Sequence, residues 1–573
     1  MKRFQSFLPA IQWIATYRRE YLSGDISAGL TVGIMLIPQG MAYALIAGLP
    51  PVYGLYAAIV PPFIYAMFGT SRQLSIGPVA MDSLLVATGV SVLATEGTEA
   101  YIGFTILLAL LVGFFQLLLG IFRMGFITNL LSKPVISGFT SAAAIVIALN
   151  QLKYLLGADI GKSSQVYEIV WNTIQKVNET HLVTLLIGLG GIALIQGMKR
   201  LHSNIPGALM AVVIGTAIVY GLQLNEDGVS IVKSIPGGFP SFSFPDLDME
   251  LFRELIPLAL TLSVIGYIEA YSIARALGGA GNGSKVVANR ELIGLGAANF
   301  IGALFQSFPV SGGFTRSAVN LEVGARTPLA SVISAGLVAL TLTFLTPLFH
   351  YLPHAILASV IMGAVFTLID VGYAKKLWKE SKVEFGLLIV TFLVTLNVSM
   401  VYGIIAGVIL SILVLLYRAA NPHIAQLGRL KGQTEFRNVK RFSDLELWED
   451  KLILRIDAPL TFINIQFVKD YIQLALDKNP RVRQLVLDAA AVNYVDASAS
   501  QGLKDLLRML DERAVRLVLA ELVGPVRDTL YKTGLLEAIE PKNIYLTIND
   551  ALADASVDET SRSQAATQHG ENE

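Results

Sequence analysis

Gln306-Ser-Phe-Pro-Val-Ser-Gly-Gly-Phe-Thr-Arg-Ser-Ala-Val-Asn320 lies deep inside an apolar region, yet it holds a proline, paired glycines, hydroxyls and an arginine. That mixture makes a poor lipid-facing helix. It suits a break in a membrane crossing, followed by a short helix that starts inside the bilayer. Such a start leaves backbone N–H groups free and places a partial positive charge in the protein interior. Arg316 adds a full positive charge one turn in. Together these features predict an anion site of the kind that broken helices build near the bilayer midplane.

A second stretch, Gln73-Leu-Ser-Ile-Gly-Pro-Val-Ala-Met-Asp-Ser83, breaks another apolar run with Gly77-Pro78 and leads into another short hydrophobic segment. Proline at a first helical position sacrifices no needed N–H and presets φ. Paired interrupted segments in corresponding places of two halves point to a binding site. The expectation is two half-helices whose N-termini face each other across one anion. The donors would be backbone N–H groups near Pro78, Val79 and Ala80 on one side and Gly313, Phe314 and Thr315 on the other. The Thr315 hydroxyl would assist, and Gly312 and Gly313 would permit close backbone approach.

Composition agrees with a membrane protein. The chain has 573 residues, 54% hydrophobic and 15% charged, against about 25% charged in soluble domains, and its mean hydropathy is +0.60. Its formal net charge is zero and it contains no cysteine, which excludes disulfides and thiolate metal sites. Apolar segments run from about residue 26 to 418. At roughly 20 residues per crossing, fewer for half-helices, they make about fourteen. Every second segment ends near Lys or Arg: Arg72, Arg123, Lys199 with Arg200, Arg275, Arg326, Lys375 with Lys376, and Arg418. The other ends carry few basic residues, as at Glu96-Gly-Thr-Glu99, and the longest outer loop, Gln151 to Thr180, is mixed in charge. The positive-inside rule then predicts both termini in the cytoplasm of a multi-pass cell-membrane protein.

The domain plan follows from these shifts in composition. Residues 1–25 read as an amphipathic cytoplasmic lead-in without a signal-peptide pattern. Residues 26–418 form the membrane domain, 419–434 a basic linker, 435–555 a soluble α/β domain, and 556–573 a disordered polar tail. In the α/β domain, Leu452–Ile456, Gln484–Asp488 and Arg516–Glu521 read as strands alternating with amphipathic helices. No catalytic constellation, phosphate loop or metal spacing is present, so no enzyme activity, cofactor or nucleic-acid partner is expected.

Several motifs together carry a resemblance. They are Pro38-Gln-Gly-Met-Ala-Tyr-Ala-Leu-Ile-Ala-Gly-Leu-Pro-Pro-Val-Tyr-Gly-Leu-Tyr56, Gly77-Pro78, Lys133-Pro-Val-Ile-Ser-Gly-Phe-Thr140 and Gly312-Gly-Phe-Thr-Arg-Ser317. In this order, and followed by a STAS-like domain, they resemble the sulfate permease (SulP) family of anion transporters over roughly 20–555. The resemblance implies a seven-plus-seven inverted repeat with core and gate subdomains, a homodimer in the bilayer, and an elevator-like movement of the core. It also implies substrate-lining side chains at Gln39 and Tyr43, which lie four apart and share a helix face.

Glu269, in Ile265-Gly-Tyr-Ile-Glu-Ala-Tyr-Ser272, has two readings. One is a proton-coupling carboxylate, whose protonation lets proton and anion travel together. The other is a static ion-pair partner of Arg316, which is costly in mid-membrane when unpaired. Asp82 reads as a residue that stabilises the dipole of its own helix. In the STAS-like domain, Asn493-Tyr-Val-Asp-Ala-Ser-Ala-Ser500 departs from the family's Asp-Ser/Thr-Ser-Gly pattern at Ala497 and Ala499, and Asp496 reads as a helix cap. The function expected is secondary active transport of inorganic anions. Sulfate with proton symport leads over bicarbonate, chloride or dicarboxylate. The rivals are a membrane sensor signalling through the soluble domain and an uncoupled channel.

Overall fold

The computed structural model describes residues 9–129, 132–160, 165–201, 207–233, 236–245, 249–280 and 286–553. The tail expected to be disordered lies outside them. Two compact units divide the chain, residues 1–411 and 412–573.

Fourteen apolar helical segments occur among the described residues, thirteen wholly within the first unit and the last running from it past residue 411. In the first half these are α1 (Leu22–Ile46), α2 (Pro51–Phe68), α3 (Ala80–Val90), α4 (Glu99–Ile121), α5 (Lys133–Asn150), α6 (Leu182–Leu201) and α7 (Gly207–Gly221). In the second half they are α8 (Met249–Ala280), α9 (Ala288–Ala303), α10 (Phe314–Val323), α11 (Leu329–Phe349), α12 (His354–Val365), α13 (Lys382–Asn397) and α14 (Met400–Ala420). The outward face of these helices is apolar, with Leu186, Leu189, Val213, Phe344 and Leu393 exposed, as a lipid-facing surface requires.

The two halves repeat each other's packing. α1 packs on α11 as α8 packs on α4, and α2 on α11 as α9 on α4. Likewise α5 packs on α13 and α6 on α12. α1–α4 and α8–α11 therefore form one group, and α5–α7 with α12–α14 the other. Small residues let backbones meet at these crossings. A Cβ on Gly54 would lie 1.9 Å from the carbonyl oxygen of Gly40, so α1 and α2 touch backbone to backbone. A Cβ on Gly113 would lie 2.3 Å from the Phe300 nitrogen where α4 crosses α9.

The lead-in ends earlier than composition suggests. Pro9–Ala15 is a short helix, and the first crossing starts at Leu22. Asp25, expected outside the membrane domain, is fully buried within α1. Its carboxylate accepts from the backbone N–H groups of Arg326 (2.7 Å) and Thr327 (3.0 Å) and from the Thr327 hydroxyl (2.6 Å). A charge at a helix start reads as solvated in one dimension; here it satisfies free amides ahead of α11. The long connection after α5 is also structured, carrying Leu152–Leu156 and Val166–Lys176 as helices.

In the second unit, strands β3 (Ile424–Leu430), β4 (Phe436–Asn438), β5 (Leu445–Glu446), β6 (Lys451–Ile456), β7 (Gln484–Asp488), β8 (Arg516–Ala520) and β9 (Ile544–Tyr545) form one sheet. The order is β4-β3-β6-β7-β8-β9, with β5 also on β3; β6 to β9 are parallel and β3 is antiparallel to β6. Period-two alternation sends Leu452 and Leu454 to one face of the sheet and Ile453 to the other. Helices Ile465–Lys478 and Ala497–Glu512 cover the first face. The linker expected over 419–434 is not one. Its Ile424, Ala425 and Leu427 are buried in an inner strand. The basic residues that suggested a linker sit at the strand's end, where Arg429 pairs with Glu446 at 2.6 Å. After β8 the chain forms two short helices, Gly524–Lys532 and Leu535–Ile539, separated at Gly534 (φ +70°).

A candidate anion site between two half-helices

The two interrupted stretches meet. Ahead of α3 lies β1 (Ile76–Gly77), and ahead of α10 lies β2 (Ser311–Gly312). They pair antiparallel, Ile76 opposite Gly312 and Gly77 opposite Ser311. Gly77 has φ +152°, a conformation side chains rarely adopt. Gly313 extends the pairing by donating to the Ser75 carbonyl at 3.0 Å. Buried side chains lock the ribbon. Ser317 Oγ accepts from the Ser75 amide (2.8 Å) and donates to the Gly313 carbonyl (2.7 Å). Asn320 donates to the Gln73 carbonyl (3.0 Å). Asn299 of α9 clasps Val310 through both its amide groups (2.8 and 3.0 Å).

Each half-helix begins directly after the ribbon. Val79 and Gly313 are the N-cap residues, both extended, and neither has a side-chain cap. Among the described residues, the amides of Ala80, Met81 and Asp82, and those of Phe314, Thr315 and Arg316, have no hydrogen-bond partner. Two positions differ from expectation. Pro78 precedes the N-cap and is not the first helical residue. Gly313 does not offer its amide to a ligand, because Ser75 accepts it; its missing side chain instead makes room for Arg316. A Cβ there would lie 2.6 Å from the guanidinium carbon. Arg316 thus folds back over its own helix start, the usual direction for a long helical side chain.

Arg316 is 2% exposed. Its Nη1 donates to Gln39 Oε1 at a long 3.4 Å, while Nε and Nη2 have no partner. No ion pair joins it to Glu269 among the described residues, so the static pairing considered from sequence is not formed. Glu269 is half-buried on α8 and its Oε2 is unpartnered. A Cβ on Gly312 would touch α8 at the Cα of Ala270, 3.0 Å away, which places the ribbon beside Glu269. Gln39 and Tyr43 are buried on α1. Pro78, Val79 and Ala80 are buried too, whereas Phe314 is 59% exposed and Thr315 is exposed, so the second half-helix opens onto accessible space.

Sequence reasoning missed the polar residues that hold the ribbon: Ser75, Asn299, Ser311, Ser317 and Asn320. Each is a buried polar residue in an apolar segment, and that is the signal that finds them. It also missed Glu291, whose carboxylate accepts from the Tyr65 hydroxyl (2.5 Å), the Thr70 hydroxyl and amide, and the Ser71 amide, and so fixes the approach to β1. In the soluble unit, Asp496 caps its helix by accepting from the Ala499 amide at 2.7 Å. Gln73 is buried, whereas Gln306 is half-buried and donates to Ser241 Oγ at 2.8 Å.

An unpaired guanidinium between two uncapped helix starts, within a repeated helical bundle, is the architecture of a membrane anion transporter. Residues 22–391 match the sulfate permease family, and residues 443–551 match the STAS domain. The chain belongs to the sulfate permease family. Sulfate transporter 4.1, chloroplastic, of Arabidopsis thaliana is 38% identical, over 96% of this chain and 82% of its own. Probable sulfate transporter Rv1739c of Mycobacterium tuberculosis is 34% identical, over 95% of this chain and 97% of its own. The murine Slc26a9 anion transporter, solved in an inward-facing state, superposes with a TM-score of 0.90 at 25% identity, over 97% of this chain and 95% of that one.

Proposed function

We propose that this protein is a proton-coupled secondary transporter of inorganic oxyanions, with sulfate the leading substrate. The observation that carries the reading is Arg316: a buried guanidinium with unpartnered Nε and Nη2, beside two half-helix starts whose first amides are free. In a low-dielectric interior an unpaired charge is costly. A dianion seated there gains charge-assisted hydrogen bonds from Arg316 and backbone donors from Ala80, Phe314 and Thr315. Gln39 and Tyr43 wall the pocket. The relatives named as sulfate transporters support sulfate ahead of bicarbonate, chloride or dicarboxylate.

Glu269 is the coupling group in this reading. Ionised, it repels the incoming anion; protonated, it does not, so proton and anion bind cooperatively and by the same factor in each direction. The helix group holding the site moves against α5–α7 and α12–α14, giving alternating access. The protein sits as a homodimer in the cell membrane, with both termini in the cytoplasm.

The test is labelled-sulfate uptake into liposomes holding the purified protein, with and without an inward proton gradient, and with bicarbonate, chloride and fumarate as competitors. Sulfate accumulation should follow the gradient. Glu269→Gln should reduce that dependence while sulfate binding persists; unchanged pH-driven uptake in the variant refutes the coupling role. Uptake of another anion alone changes the substrate, and binding without flux favours a sensor.

A further inference from the structure

We propose that Asp82 is a second proton-carrying group of this site, so that each sulfate dianion crosses with two protons, one on Glu269 and one on Asp82. The inference rests on the reading above and adds its stoichiometry.

Asp82 lies in the first turn of α3 and is 2% exposed. An aspartate serving only its helix would accept from nearby amides, but neither oxygen of Asp82 accepts a hydrogen bond among the described residues, and Oδ1 is wholly buried. Its Oδ2 rests against α8, where a Cβ on Gly266 would be 3.4 Å away. Ser311 Oγ, which would lie 3.5 Å from that same Cβ, donates instead to the Gly266 carbonyl at 2.7 Å. Gly266 is one turn before Glu269, so both carboxylates lie along one stretch of α8, each with an unpartnered oxygen.

The charges around Asp82 are few. α8 contributes Glu269, α1 contributes Tyr43 and α10 contributes Arg316. α4 has no ionisable side chain beyond Glu99 and Tyr101 in its first turn, and α5 none beyond Lys133 at its start. The guanidinium leans over Gly313 toward Gln39 and forms no ion pair with either carboxylate. One cation cannot compensate two carboxylates and a dianion. With the dianion seated beside it, a buried carboxylate without hydrogen bonds becomes far costlier as an ion than as an acid. Ionised Asp82 would also compete with the substrate for the positive end of α3. Anion arrival therefore drives a proton onto Asp82, and by linkage that proton tightens anion binding equally. With two protons the loaded carrier moves no net charge.

The full chain in liposomes, with proton gradient and potassium diffusion potential set independently, counts the protons. Wild-type sulfate accumulation at equilibrium should change about 100-fold per unit of pH difference, two protons each contributing tenfold, and ignore voltage. Asp82→Asn should change about tenfold per unit and acquire a voltage dependence of about 50-fold per 100 mV, the value for one net charge. Asp82→Glu should restore the wild-type count. A wild-type slope near tenfold with voltage dependence overturns the proposal without any variant, as does an Asn variant that keeps the two-proton slope. A wild type indifferent to the proton gradient overturns the proton-coupled reading itself.

Discussion

At the scale of single residues, Arg316 separates structural from functional roles for a buried charge. A guanidinium held by a carboxylate stabilises the fold, and its removal leaves a partner stranded. Arg316 has only a 3.4 Å contact to Gln39 and two unpartnered nitrogens. Arg316→Gln should therefore leave the melting temperature in detergent unchanged or raise it. It should weaken sulfate binding about 10- to 100-fold, the size of one or two charge-assisted hydrogen bonds. A marked loss of stability with retained binding would show that the arginine is structural. Glu291 is the contrasting case: four hydrogen bonds satisfy its carboxylate, and its work is to hold the chain ahead of β1.

At the scale of elements, the site depends on short pieces positioned by close backbone contact. α3 and α10 are too short to cross a bilayer alone; the two-residue ribbon and the α1–α2 and α4–α9 crossings hold them in place. The α1–α2 crossing is the tightest, since a methyl at Gly54 would fall 1.9 Å from the Gly40 carbonyl oxygen. Backbone cannot give way as a flexible side chain does. Gly54→Ala should destabilise the membrane unit by at least about 1–3 kcal/mol, read as a lowered melting temperature in detergent. Gly103→Ala on α4, where nothing lies within 4 Å, should be neutral or slightly stabilising. Equal behaviour of the two variants would refute the close crossing.

At the scale of the whole molecule, the chain divides into two units, and where the second begins is testable. β3 is the inner strand that joins β4 and β5 to β6. A soluble fragment starting at Asn421 and ending at Ala553 should fold and unfold cooperatively. One starting at Glu435 loses β3 and the burial of Ile424 and Leu427, worth about 3–6 kcal/mol, and exposes the edge of β6. It should aggregate or melt far lower in circular dichroism. Equal stability of the two fragments would return residues 419–434 to the role of linker.

What is local and periodic can be read along the chain. Fourteen apolar segments, the two Gly/Pro interruptions, the arginine one turn into the second, and the alternating strands of the soluble unit are legible, because hydrophobic length and period are properties of neighbours along the chain. Which partners distant residues find is a property of the folded chain. The fold joined β1 to β2 and placed Asp25 against the amides ahead of α11. It turned the Gly313 amide onto Ser75, left Arg316 without a carboxylate, and set Asp82 bare against Gly266. It also drew Ile424–Leu430 into a sheet. The physical reason is one: a buried polar group must be satisfied by whatever the fold brings near, and composition records its cost but not its partner.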